Sequence, residues 1–88
     1  MKFELGRLLT TKAVSERVNE NTIIGILTRY KNCDWGDLSE SDKELNDISV
    51  KDGGDNILAA YDIGEDEKVY IITEWDRSAT TILFASEY

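Results

Sequence analysis

Three runs rich in β-branched and aromatic residues, Ile57 to Ile63, Lys68 to Trp75 and Ala79 to Phe84, follow one another near the C-terminus. They are separated only by Gly64-Glu65-Asp66-Glu67 and Asp76-Arg77-Ser78. Such residues suit a pleated, half-buried surface, and linkers this short return the chain as a hairpin, because a parallel crossover needs a dozen residues or more. The segment therefore reads as a three-stranded antiparallel meander. A meander needs something to cover its apolar face, and the rest of the chain must supply it.

The preceding sequence has a helical period. Thr10 or Thr11 can cap a short helix carrying Ala13, Val14 and Val18, broken at Asn19-Glu20-Asn21. Asn21 is the next cap, before Ile23, Ile24, Ile26, Leu27 and Tyr30, with Arg29 and Lys31 in the last turn, where cations complement the helix dipole. Ser39 with Asp42 has the form of a capping box, and Leu38, Leu45 and Ile48 then share one face of a helix that ends before Asp52-Gly53-Gly54. Apolar residues on one helix face are expected to meet the core. Phe3 to Leu9 reads as a short N-terminal strand able to join the sheet. The expected fold is α+β, a single domain over residues 1–88. Two to three short helices pack on a three- to four-stranded, mainly antiparallel sheet.

Composition supports one core and narrows the chemistry. The chain has 88 residues, 41% of them apolar, enough to bury one core and too few for two. Cys33 is the only cysteine, so no intramolecular disulfide can help, which fits a reducing, cytoplasmic setting. Histidine is absent, removing both the usual near-neutral acid-base group and the commonest transition-metal ligand. No apolar run reaches membrane-spanning length. The net charge of −8 is unevenly spread: residues 1–31 carry six basic and three acidic side chains, and residues 32–88 carry four basic and fifteen acidic ones. That excess repels phosphate backbones and favours basic partners, so direct nucleic-acid binding is not expected.

Two segments concentrate polar and aromatic groups. Asp34-Trp35-Gly36-Asp37 sets a ring between two carboxylates in a loop, where it could serve recognition; the plainer alternative has Trp35 sealing the core and Asp37 helping to cap the next helix. The turn around Glu74, Asp76, Arg77 and Ser78 could present two carboxylates and a guanidinium on a rigid hairpin. Alternatively Asp76 and Ser78 bond local backbone while Arg77 pairs with Glu74 or Asp76. Asp34, Trp35, Asp37, Glu74, Asp76, Arg77 and Ser78 are thus the candidate binding residues. The acids do not follow an EF-hand pattern, Cys33 lacks zinc-ligand company, and Gly53-Gly54 lacks a phosphate-loop context, so no metal, cofactor or catalytic set is expected.

Asp34-Trp35-Gly36-Asp37, the Asp42 to Asn46 helix, Tyr61, Ile71-Ile72-Thr73-Glu74, Asp76-Arg77-Ser78, Thr80-Thr81 and the closing Glu87-Tyr88 together resemble small plasmid-related proteins of bacterial mobile elements. The family pattern has a glycine before the Asp-Trp-Gly stretch, where this chain has Cys33. The resemblance implies no catalytic role. It implies an accessory protein that binds host or element proteins, a modulator of host defence or of the element's own machinery; the chain itself is expected to be a monomer or weak homodimer. Two other readings stand beside it. One is an acidic nucleic-acid mimic using Glu40, Glu44, Asp47 and the Gly64 to Glu67 turn. The other is a small hydrolase or transferase using Glu74 or Asp76 with Arg77. An apolar outer face on Ala79 to Phe84 would also suit edge pairing between chains.

Overall fold

The computed structural model describes residues 3–64 and 66–88, and Glu65 of the expected acidic turn lies outside them. Four strands, Arg7–Thr10 (β1), Ile57–Asp62 (β2), Lys68–Thr73 (β3) and Ala79–Phe84 (β4), form one sheet in the order β1-β4-β3-β2. The β2–β3 and β3–β4 pairs are antiparallel, as the short linkers demand, and β1 joins β4 in parallel. The α+β expectation holds. The last strand, however, is not an edge: β1 covers it, so edge pairing between chains through Ala79 to Phe84 is closed off.

Helices Lys12–Arg17 (α1), Glu20–Lys31 (α2) and Glu40–Asp52 (α3) lie between β1 and β2 in sequence. Thr11 caps α1 through the Val14 N–H, and Ser39 caps α3 through the Asp42 N–H. The α2 cap is Asn19, whose side chain takes the Asn21 N–H, so the cap lies two residues before the expected one at Asn21.

Alternation along the strands divides the sheet into two faces. Ile57, Ala59 and Tyr61 of β2, Val69 and Ile71 of β3, and Ile82 and Phe84 of β4 are buried with Val14, Val18, Ile26 and Tyr30 of the helices. Leu58, Tyr70, Ile72 and Leu83 are half-buried on the other face. Hydroxyls in this core form a one-way relay: Thr80 donates to the Leu5 carbonyl at 2.7 Å, leaving its oxygen for Thr73 at 2.7 Å and the Thr73 oxygen for Tyr30 at 2.6 Å.

The expected N-terminal strand begins late. Gly6 has φ +64, and a Cβ there would lie 2.3 Å from the Arg77 carbonyl oxygen, so the chain turns left-handed against the β3–β4 hairpin before β1 starts. Phe3 and Leu5 precede that turn and enter the core, whereas all of β1 is exposed.

Helix α3 departs most from its sequence pattern. Leu45 and Ile48, expected to face the core, are 62% and 54% exposed, while Asn46 and Ser49 are buried. The cause is what α3 meets. It lies against β2, an edge strand, and an edge offers unpaired backbone groups rather than apolar surface. The Asn46 amide donates to the Leu58 carbonyl at 2.8 Å and accepts the Leu58 N–H at 3.3 Å, standing in for a neighbouring strand. Ser49 donates to the Asp55 carbonyl at 2.7 Å.

Candidate functional site

The loop at 34–37 is held from both ends. Helix α2 closes with the Cys33 N–H on the Tyr30 carbonyl and the Asp34 N–H on the Arg29 carbonyl, the pair of bonds of a Schellman motif. That motif puts Cys33 at φ +62, a conformation glycine adopts without steric cost. Cys33 itself packs half-buried against the core.

Beyond the loop, the backbone adds to the sheet. Ala60 donates to the Trp35 carbonyl at 3.2 Å and accepts from the Asp37 N–H at 2.7 Å, a parallel bridge centred on Gly36. A Cβ on Gly36 would lie 2.0 Å from the Ala60 oxygen, and its φ is +75, so only glycine permits this approach. Trp35 is 2% exposed; its ring lies 5.5 Å from Tyr30 and 5.9 Å from Phe3, and its indole N–H donates to Asp47 at 2.9 Å. Of the two readings of this loop, burial selects the core seal, and Trp35 is not a contact residue. Asp37 acts through its backbone, the helix cap being Ser39.

Asp34 is exposed and takes a fork of hydrogen bonds from Arg29 at 2.7 and 3.2 Å, which holds its carboxyl below the ordinary carboxylate range. Arg29 also lies 4.9 Å above the Tyr61 ring, and the Tyr61 hydroxyl donates to the Asp34 carbonyl at 2.6 Å. Burial pushes the Tyr61 phenol well above its ordinary value, as it does for Tyr30.

The hairpin tip is equally committed. Asp76 accepts the Ser78 N–H at 3.0 Å, and hydrogen bonding from Ser78 lowers its carboxyl. Arg77, at φ +60, turns away from both carboxylates of the tip. Its guanidinium donates to the carbonyls of Asp55 at 2.9 Å and Ser49 at 2.8 Å, and more weakly to those of Glu74 and Trp75. The anticipated pairing with Glu74 or Asp76 is replaced by a clip onto the end of α3. A cation that satisfies four carbonyls is poorly placed to stabilise a reacting anion. Neither the groove beside α3 nor the hollow lined by Arg17, Val18, Asn19, Thr22 and Ile63 is lined by Glu74, Asp76 or Arg77.

Some acids of the expected acidic face are likewise bonded within the fold. Asp47 is turned to Trp35, Glu40 lies 3.7 Å from Lys43, and Glu67 pairs with Arg17 across the molecule. Arg17 and Arg29, from the basic first third, are thus both bonded to acids of the remainder.

What the sequence segments did not reveal is a groove of about 480 Å³ between α3 and the start of β2. Leu38, Leu45 and Leu58 supply its apolar lining, and Asp42, Asn46, Asp55 and Asn56 its polar lining. Ile48, exposed and three residues along α3 from Leu45, lies on the same side of the helix. The signal for this was the pair Asn46 and Ser49, polar residues three apart on a helix whose sheet-facing side has to bond an edge strand.

No protein-family model, no curated protein and no solved structure matches the chain.

Proposed function

We propose that the chain is a non-enzymatic protein-interaction domain whose contact surface is built on α3. The observation that carries this reading is the inverted helix. Its two buried residues, Asn46 and Ser49, are polar, with only the half-buried Val50 meeting the core, and it leaves two large aliphatic side chains in water beside a groove. Exposed apolar residues scattered singly need no explanation, but a contiguous apolar ridge at a concave site is what interfaces use. The bonds that hold Arg77 and Trp35 within the fold support the same reading, since the hydrolase reading needs that guanidinium for an anion and the recognition loop needs that ring exposed. The resemblance to plasmid-related proteins adds a setting: an accessory protein in a bacterial cytoplasm, monomeric or weakly dimeric, binding a host or element protein and modulating host defence or the element's own machinery.

The test is affinity capture from cell lysate with mass spectrometry, comparing wild type with a Leu45→Glu, Ile48→Glu double variant. Both positions are exposed, so the variant is expected to keep its fold. Replacing Trp35 and Arg77 would instead test folding. A partner held by wild type and lost from the variant supports the proposal. Recovery of nothing above background by wild type contradicts it.

A further inference from the structure

We propose that the groove between α3 and β2 docks a short segment of a partner protein in which a large apolar side chain is flanked by lysine or arginine. The inference rests on the interaction reading and names the chemistry of the partner.

Three features of the groove define its occupant. The first is shape and polarity: Leu38, Leu45 and Leu58 converge from three parts of the chain on a space of about 480 Å³, a volume typical of pockets that take a few apolar groups. The second is charge. Among the described residues Asp42 and Asp55 line the groove and no lysine or arginine does, the Arg77 guanidinium meeting Asp55 through its backbone carbonyl, within a segment, residues 32–88, that holds fifteen of the eighteen acids. Carboxylates at the rim of an apolar slot select a basic partner and repel an acidic one. The third is a restriction on binding mode. The Leu58 N–H and carbonyl are both taken by Asn46, and those of Ala60 by Trp35 and Asp37, so a peptide cannot add to β2 as another strand at these positions. Recognition therefore falls to side-chain insertion with ionic flanks, and the partner's backbone conformation is secondary.

The experiment is to pan a display library of random dodecapeptides against the full chain, with a Leu45→Ser chain as counter-bait. Fluorescence anisotropy then measures one fluorescein-labelled consensus peptide. The expected consensus holds one or two of Leu, Ile, Phe, Met or Trp next to Lys or Arg. Leu45→Ser is expected to weaken binding about tenfold, as loss of a central apolar contact does. Asp42→Asn with Asp55→Asn, which leaves the apolar wall intact, is expected to weaken it about threefold at low salt. That difference should vanish at about 1 M salt, where screening acts within ~3 Å. Urea midpoints of all variants confirm that the fold is kept. The proposal is overturned by an acidic or uncharged consensus, by enrichment that the Leu45→Ser bait shares, or by no enrichment at all. If that happens while lysate capture still yields a partner lost in the Leu45→Glu, Ile48→Glu variant, the interaction reading stands and only the partner chemistry fails. If capture also yields nothing, both fail.

Discussion

Replacing Arg77 separates a structural clip from a functional cation. The side chain is half-buried and makes two short bonds, 2.9 Å to the Asp55 carbonyl and 2.8 Å to the Ser49 carbonyl, that tie the β3–β4 hairpin to the end of α3. Hydrogen bonds from a charged donor contribute about 1.5–3 kcal/mol each when sheltered; partial exposure reduces that, so Arg77→Ala should cost about 2–3 kcal/mol. The backbone adds a second, opposite effect. At φ +60 any side chain is strained, so Arg77→Gly should recover about 1 kcal/mol relative to Arg77→Ala although both lack the guanidinium. Urea unfolding followed by tryptophan fluorescence reads both differences, since the Trp35 ring is 2% exposed when folded whereas Trp75 is already exposed. In heat, Arg77→Ala should melt about 8–24 °C lower, given ~4–8 °C per kcal/mol for a domain of this size. The reasoning is refuted if Arg77→Ala is as stable as wild type, or if Arg77→Gly is less stable than Arg77→Ala.

Glycine positions give a paired contrast. Gly36→Ala would place a Cβ 2.0 Å from the Ala60 oxygen and should cost more than about 3 kcal/mol, whereas Gly25→Ala, with nothing within 4 Å on an exposed turn of α2, should add about 0.5–1 kcal/mol. Urea midpoints check both. Alkaline pH gives a second test. Burial raises the Tyr30 and Tyr61 phenols above 10.0, so the folded state favours their protonated forms. Their contribution to stability is therefore complete below pH 10 and declines as pH rises beyond it, because the unfolded chain ionises first. Phenolate absorbance should show these two groups titrating together with unfolding; their ionisation in a chain that stays folded would contradict the burial.

How much of this was legible in the sequence depends on the kind of force involved. The strands were, because β-branched runs with three- and four-residue linkers leave the chain one way to turn. The Ser39 cap was legible for the same local reason. The start of β1 was not, because Gly6 breaks the alternation through a contact with the Arg77 and Ser78 backbone, seventy residues away in the chain. The orientation of α3 was not, because a hydrophobicity pattern assumes that a helix meets apolar surface. This one meets a strand edge, where Asn46 and Ser49 satisfy hydrogen bonds that leucine and isoleucine could not. Trp35 and Arg77 drew attention as rare, large, polar-flanked residues, and both proved to be fastenings. The acids flanking the groove were visible one by one. The groove was not, since it exists only once the polar side of α3 turns inward and Leu45 turns out.

That inversion is the claim on which the proposed surface depends, and amide hydrogen exchange at Leu58 tests it most directly. Leu58 lies on an edge strand, where an outward N–H without a partner exchanges rapidly; bonded to the Asn46 amide, it should be protected in wild type. In Asn46→Ala the Leu58 amide should lose that protection relative to Ala60, whose N–H keeps its own bond to the Trp35 carbonyl. Fast exchange at Leu58 in wild type, or protection unchanged in Asn46→Ala, would mean that Asn46 does not face the strand and that α3 does not present Leu45 and Ile48 outward.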